Sequence, residues 1–142
     1  MGKKENQIQL VENMRRWQKV ENAAVTSTAQ IMEGTDNEYI RAVAEIINRD
    51  SQMHYRIQQL IVDSVTKTAV MPVDDLKAVW EAVERHIEIE KRTIKLAEES
   101  LELLDHQRQG LQQYLLEYLL EDEKKHDHLL EKLALIKKGM YP

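Results

Sequence analysis

The sequence predicts an all-α protein of four long helices, and three observations lead to that prediction. The 142 residues include four glycines and two prolines, so few positions interrupt a helix. Leu, Ile, Glu, Lys, Gln and Ala, which tolerate helices well, dominate the composition. Apolar residues recur at spacings of three and four, and strand-like alternation is absent. We therefore expect a four-helix bundle that forms a single domain over residues 1–142.

The first half contains two predicted helices. The first runs from about Lys4 to Glu33 and is ended by Gly34. Gln18 and Glu21 interrupt its apolar stripe, which consists of Val11, Met14, Val25, Thr28 and Met32. Asp36 is predicted to cap the second helix. The expected inward face of that helix carries Ile40, Val43, Ile47, Asp50, His54, Ile57 and Ile61.

The second half contains two more predicted helices after an unusual connection. Residues 65–73 are rich in β-branched side chains and include Pro72, which predicts an extended segment. Asp74 is predicted to cap the third helix, whose apolar face is Leu76, Trp80, Val83, Ile87, Glu90, Ile94, Ala97, Leu101 and Leu104. A turn at 106–110 leads to the fourth helix, ended by Gly139, with the stripe Leu111, Leu115, Tyr118, Asp122, His126, Leu129 and Leu133.

The short connections predict two antiparallel helical hairpins, formed by helices 1 and 2 and by helices 3 and 4. The direction of helix 3 relative to helix 2 stays open. If residues 64–74 are extended, they span about 35 Å, enough to return along the bundle and make these helices parallel. If helix 2 instead continues to about Val70, the two helices are antiparallel.

Composition excludes several classes of protein. The chain has no cysteine, which excludes a thiolate zinc site and an iron–sulfur cluster. A net charge of −5 argues against a nucleic-acid surface. Neither a membrane-spanning apolar run nor a secretory signal is found, so we expect a soluble cytoplasmic protein with no membrane partner.

A short motif in helix 4, Asp122-Glu123-Lys124-Lys125-His126, carries most of the functional information. Glu123 and His126 are three apart, so they share one helical face and can bind one cation together. A damaged copy stands 72 positions earlier, where Asp50 and His54 recur and Ser51 replaces the glutamate. The chain therefore resembles a duplicated helical pair with an altered first half.

Each predicted helix carries an ionisable residue on its apolar face. Burying several carboxylates without compensation costs several kcal/mol each. A divalent cation offsets that cost, and iron or manganese suits carboxylate and imidazole ligands. A closed salt-bridge network is the alternative. In the cation case, Asp50 and Asp122 would each accept the free N–H of a ligand histidine from the neighbouring helix.

Asp122-Glu123-x-x-His126 resembles the D-E-x-x-H signature of the ferritin-like di-iron superfamily, which includes bacterioferritins and rubrerythrins. That family has a further glutamate 33 residues earlier, and Glu90 stands at this spacing. The resemblance covers helices 3 and 4. It implies a ferritin-like bundle with a crossover between helices 2 and 3, bound iron or manganese (or zinc in purified protein), and a homodimer or larger homo-oligomer.

The first half departs from the family pattern. Ser51 and Gln18 stand where two glutamate ligands are expected, whereas Asp50 and His54 are retained. Glu21, one turn beyond Gln18, is the candidate substitute. The resemblance thus implies one metal position held by Glu90, Glu123 and His126, and a second that keeps His54 with Glu123 as a bridge. This pattern indicates one metal rather than two, an asymmetric pair, or a site that has lost its metal.

Two functions follow, and the sequence leaves open whether the chain is an enzyme. A metal-binding ferritin-like protein would oxidise Fe(II) or reduce peroxide with electrons from outside, since the absence of cysteine leaves no rubredoxin module. A non-enzymatic bundle that has lost metal would act by oligomerisation or partner binding.

The remaining aromatic and histidine residues have plainer expectations. His86, four residues before Glu90, is either a partner of that ligand or a histidine at the rim of the site, and we favour the rim. His106 and His128 fall off the apolar stripes and are expected in solvent. Trp17 and Trp80 are expected to anchor the core or an interface.

Overall fold

The computed structural model of the protein describes residues 2–67, 71–104 and 110–139. Over these residues the chain is all-helical, as predicted, with no strand and four α-helices: α1 (Lys3–Glu33), α2 (Glu38–Thr66), α3 (Val73–Glu102) and α4 (Gly110–Lys137). Four helices of this length are consistent with a four-helix bundle. None of the described helices is long and apolar enough to cross a membrane.

The chain divides into two compact units, Met1–Val70 and Met71–Pro142. The first unit contains α1 and α2, and the second contains α3 and α4. Within each unit the two helices pack against each other. The expectation of one domain over residues 1–142 stays a prediction.

Hydrogen bonds between α1 and α2 give the order of pairing in the first unit. The Arg15 guanidinium donates to Gln59 Oε1 at 2.6 Å. Further along α1, the Val25 carbonyl accepts from the Asn48 amide at 3.0 Å. As the residue numbers rise along α1, the numbers of their hydrogen-bond partners on α2 fall. This is the order expected of two helices that run in opposite directions.

The second unit shows the same descending order. The Thr93 hydroxyl of α3 donates to Glu123 Oε2 of α4 at 2.9 Å. Nearer the start of α3, the Lys137 ammonium lies 4.6 Å from the centre of the half-buried Trp80 ring. A cation held over an indole face is an attractive contact, so it links the beginning of α3 to the end of α4. Trp17, in contrast, is 52% exposed and is not a core residue.

The interior of α1 is as polar as the sequence predicts. α1 buries four residues, of which two are polar amide or acidic side chains: Met14, Gln18, Glu21 and Thr28. Gly34 ends this helix, and its backbone N–H donates to Gln30 O at 3.0 Å. At the end of α4, Gly139 adopts a φ of 75°, the left-handed conformation that glycine accepts most readily.

The predicted caps of α2 and α3 are wrong by one or two residues. Asn37, not Asp36, caps α2, and its side chain accepts two backbone N–H groups at 3.0 and 3.1 Å. A capping side chain must directly precede the first helical residue, and only Asn37 does so. α3 begins at Val73 after Pro72, which leaves Asp74 inside the first turn. A carboxylate there still interacts favourably with the helix dipole.

The two connections are described only in part. Val65 and Thr66 still belong to α2, so the extended segment predicted at 65–73 begins later than expected. Lys67 and Pro72 are both extended, with φ/ψ of −129°/165° and −63°/136°. Residues 68–70 lie outside the described residues, and the crossover stays a prediction. Residues 106–109 of the predicted turn, including His106, also lie outside them, and α4 begins at Gly110.

The buried face of α2 is not the one predicted. The helix buries a row of smaller or polar side chains: Ala44, Ser51, Gln58 and Val62. Ile40, Ile47 and Ile57 are instead 43–50% exposed. A wide apolar stripe shows which side of a helix is buried, but it does not show which row of side chains contacts the adjacent helix. Small residues such as Ala44 and Ser51 let two backbones approach closely, and α1 is the helix that α2 packs against.

Candidate metal centre

Three predicted ligands come together in the second unit. Glu90 of α3 and Glu123 and His126 of α4 each offer one ligand atom, and these atoms all lie within 4.8 Å of one another. The spacing of three on α4 places Glu123 and His126 on one face, and the packing of α3 against α4 brings Glu90 opposite them. Among the described residues this is the one group of three or more acidic or histidine side chains close enough to bind one ion.

Glu90 is the buried member of the group, at 4% exposure. Its two carboxylate oxygens have different surroundings. Oε1 lies 2.7 Å from His86 Nε2, whereas Oε2 is buried without a hydrogen-bond partner among the described residues. A buried polar atom left unpaired costs about 1–3 kcal/mol, and more when it is charged. Oε2 thus lacks a partner among the described residues, while Oε1 lies 3.5 Å from His126 Nδ1, and a cation bound to this group would satisfy the carboxylate.

The two carboxyl groups of the centre perturb each other. The hydrogen bond with Glu123 lowers the pKa of Glu90 against the opposing effect of burial, and the hydrogen bond from His86 lowers it further. The same contact with Glu90, together with burial, raises the pKa of Glu123. Glu123 is therefore the carboxyl group of the pair that binds a proton more readily, and a bound cation would compete with that proton.

The orientation of His126 is set from its own helix. Asp122 Oδ2 lies 3.3 Å from His126 Nε2, and the Lys125 ammonium holds the other Asp122 oxygen at 2.7 Å. A His126 that donates its Nε2–H to Asp122 keeps the Nδ1 lone pair toward Glu90 and Glu123, which lie 3.5 and 3.8 Å away. The contact described for Asp122 is with a histidine of its own helix, and the expected contact with a histidine of the neighbouring helix stays a prediction.

Thr93 is a member of the site that the sequence analysis missed. Its hydroxyl lies 2.9 Å from Glu123 Oε2 and 2.8 Å from the Glu90 carbonyl oxygen. The hydroxyl therefore restrains the rotamer of Glu123 from the opposite helix. One signal was present, because Thr93 follows Glu90 by three residues and so lies on the same face of α3.

His86 was expected at the rim, and the structure shows both exposure and contact. Its side chain is 54% exposed, and its Nε2 still reaches the buried Glu90 carboxylate at 2.7 Å. His128, also expected in solvent, is 66% exposed and lies 3.8 Å from the equally exposed Glu131.

An open groove in the second unit reaches the centre. It has a volume of about 260 Å³, and Thr93 and Glu123 lie among its lining residues. The rest of the lining is mainly apolar and comes from both helices: Leu96, Ala97, Ser100, Leu116 and Leu119. Water or a small solute can therefore approach Glu123 from solvent while Glu90 stays buried.

The first unit holds a smaller pairing of the same residue types. His54 Nδ1 lies 3.5 Å from Glu21 Oε1, and Glu21 is 6% exposed. Asp50 is exposed, contrary to its predicted place on the inward face, and the described partner of His54 is Glu21. Ser51 is buried at the position where the motif glutamate was expected. The described residues of this unit supply two candidate ligands rather than three.

Gln18 stands where the other glutamate was expected, and both of its polar side-chain atoms form hydrogen bonds. Its amide nitrogen donates to Tyr55 O at 3.3 Å and to Gln59 Oε1 at 3.2 Å. Its amide oxygen accepts from the Arg15 guanidinium at 3.1 Å. Both polar atoms of Gln18 are therefore paired, and this part of the first unit is a closed network that needs no cation.

The donor set limits the metals that fit. Two carboxylates and one imidazole suit iron, manganese or zinc, and no soft ligand is present that would favour copper(I). Comparison with protein-family models, curated proteins and solved structures finds no match for this chain. The likeness to the ferritin-like superfamily therefore rests on the D-E-x-x-H motif, Glu90 and their spacing.

Proposed function

We propose that this chain is a ferritin-like metal-binding protein whose principal ion is held by Glu90, Glu123 and His126. The observation that carries the proposal is the unpaired, buried Glu90 Oε2, which lies in a group whose other two members each offer a ligand atom. A salt bridge alone would leave that oxygen without a partner. A cation would satisfy it and would compete with any proton bound by Glu123.

Iron or manganese at this centre would supply one-electron chemistry. That chemistry suits either the oxidation of Fe(II) by a small oxidant or the reduction of peroxide with electrons from an outside donor. The chain's own residues prepare the ligands. Asp122 selects the His126 tautomer, Thr93 restrains Glu123, and burial keeps the Glu90 carboxylate dry. The groove beside Glu123 provides a path for a small oxidant.

We propose an asymmetric protein that binds one metal tightly. Glu21 and His54 offer two ligands in the first unit, while Gln18 is fully paired and Ser51 carries no charge. A second ion would find too few charged ligands there to offset its loss of hydration. The ferritin-like crossover, the homodimer or larger homo-oligomer and the cytoplasmic location belong to the same proposal and rest on the resemblance and on composition.

The test is elemental analysis after anaerobic loading with Fe(II), Mn(II) or Zn(II). The wild-type protein is compared with Glu123→Ala, His126→Ala and with a matched control, Glu121→Ala, His128→Ala. The control removes the same residue types from exposed positions of the same helix. We expect about one metal per chain in the wild type and in the control, and a large loss in the site variant.

Other outcomes redirect or end the proposal. About two metals per chain would mean that Glu21 and His54 complete a second position, and their double alanine variant would then lose one of the two. No bound metal in a folded wild-type protein would refute the proposal.

The second candidate function, a non-enzymatic bundle that acts by association, is favoured by one observation. Part of the polar interior of the first unit is satisfied without a cation, because Gln18, Arg15 and Gln59 form a hydrogen-bonded network. Such a network serves to fix the register of two helices. This candidate requires that the site variant assemble as the wild type does and that no metal-dependent turnover occur.

A further inference from the structure

His86 makes a contact that neither the D-E-x-x-H motif nor the group of three ligands explains. It lies one turn before Glu90 on α3, with its side chain 54% exposed. Its Nε2 is 2.7 Å from Glu90 Oε1, a short distance that marks a charge-assisted hydrogen bond. The exposed His86 ring thus contacts the carboxylate of Glu90, whose side chain is 6% exposed.

This contact makes the two oxygens of Glu90 unequal. Oε1 accepts the His86 N–H, while Oε2 is buried and has no partner among the described residues. Without His86, the carboxylate could rotate to bring either oxygen toward the nearest donor. With His86 in place, one rotamer is selected, in which Oε1 also lies 3.5 Å from His126 Nδ1 and Oε2 stays buried.

The contact differs from the ordinary pairs between successive helical turns in this protein. Glu12 and Arg16 form such a pair at 3.8 Å, with both side chains more than half exposed. A pair of that kind contributes little to stability. The His86 contact instead ends on a buried acceptor that belongs to the ligand group.

The duplication of the chain provides a second, independent observation. At the offset of 72 residues, His86 corresponds to Met14 and Glu90 corresponds to Gln18. Met14 is buried and apolar, and Gln18 is held by Arg15 and Gln59. The histidine is therefore present in the half that has the complete ligand group and absent from the half that lacks it.

We propose that His86 is a positioning residue that raises the metal affinity of the centre by holding Glu90 in its ligand rotamer. This inference rests on the proposed metal function. His86 does not belong to the group of mutually close ligand atoms, which consists of Glu90, Glu123 and His126. It acts through the Glu90 carboxylate and does not itself bind the ion.

The test compares three substitutions of His86 in the full chain. His86→Ala removes the donor. His86→Gln restores an N–H at nearly the same reach, and His86→Asn places the same amide one methylene too short. His128→Ala, which removes an exposed histidine from α4, is the control. Dissociation constants for Zn(II) and Mn(II) are measured by competition with a coloured chelator, and the visible spectrum of the Co(II)-loaded protein reports the ligand set.

We expect His86→Ala and His86→Asn to weaken metal binding about 10–100-fold, the usual effect of removing a group that orients a ligand. His86→Gln should return the affinity to within a few-fold of the wild type. The stoichiometry and the Co(II) spectrum should not change in any of these variants. If the Ala variant folds poorly, the difference in metal affinity between the Gln and Asn variants still tests the inference.

Three results would overturn the inference. Equal affinity in wild type, His86→Ala and His86→Asn would show that the contact does not position Glu90. A changed Co(II) spectrum with no rescue by glutamine would make His86 a ligand rather than a positioning residue. Wild-type protein that binds no metal would remove the proposed function itself, and the inference with it.

Discussion

Replacing Glu123 with glutamine should stabilise the metal-free protein while abolishing its metal binding. In the folded chain, the contact with Glu90 and burial raise the pKa of Glu123 above its ordinary value of 4.5. The stability that comes from this bound proton is present below pH 4.5 and is lost as the pH rises through the folded pKa. Glutamine cannot ionise. Its amide N–H can still donate to Glu90, and its oxygen can still accept from Thr93.

The size of the effect follows from the distance between the charges. At the 4.8 Å limit for the ligand atoms, two unit charges repel by about 1 kcal/mol at the dielectric constant of water. At an effective dielectric constant of 20 the repulsion is about 3.5 kcal/mol. Glu123 is 24% exposed and Glu90 is 6% exposed, so the pair lies between these limits. We expect a gain of about 1–3 kcal/mol near pH 7, or about 3–10 °C in melting temperature.

The assay is thermal and urea unfolding of the chelator-treated protein as a function of pH. Glu121→Gln is the matched control, since it removes the same charge from an exposed position two residues away on α4. The advantage of Glu123→Gln should vanish near and below pH 4.5, where wild-type Glu123 is itself protonated. Added Zn(II) should reverse the order, because it stabilises the wild type by mass action and leaves the variant unaffected.

Two results would refute this reasoning. A loss of stability in metal-free Glu123→Gln at neutral pH would mean that the two carboxyl groups do not repel. An equal gain in Glu121→Gln would assign the effect to the net charge of the chain rather than to the pair.

Three further predictions concern the orientation of the ligands, their protonation and the start of α2. Asp122→Ala should weaken Zn(II) binding about 10–100-fold because His126 loses the acceptor that sets its tautomer, whereas Glu121→Ala should have little effect in the same chelator competition. Metal affinity should fall as the pH is lowered toward the pKa of Glu123, which lies above 4.5, since the ion must displace the proton that Glu123 binds there; chelator competition over a series of pH values measures it. Asn37→Ala should cost about 1 kcal/mol of unfolding free energy by removing the cap of α2, and Asp36→Ala, which removes no capping contact, should cost much less; urea unfolding distinguishes them.

Local signals in the sequence predicted much of the second unit. Glu123 and His126 were named as candidate ligands from their spacing, and Glu90 from the resemblance to the ferritin-like motif; the structure brings the three together. The stripe of α3 correctly included the buried Leu76, Glu90 and Ala97. In a helix that packs along one face, residues three and four apart stay together whatever the neighbour is. The motif was therefore readable without the structure.

Predictions that depended on a neighbouring helix failed more often. In α2 the expected face included Asp50 and Ile47, but the buried row is offset by one residue and includes Ser51 and Gln58. One residue rotates a helix face by about 100°, and the apolar stripe was wide enough to fit either row. The choice depended on where small residues allow α1 to approach.

The sequence by itself determined the four helices, the acidic interior and the D-E-x-x-H motif, because these follow from composition and from periodicity along a single helix. Only the tertiary structure decided which oxygen of Glu90 His86 contacts, that Asp122 lies beside His126 of its own helix, and that Thr93 contacts Glu123. These features depend on rotamers and on distances of a few ångströms between side chains. Helical periodicity places residues on a face, but the packing of α3 against α4 selects the contacts they make there.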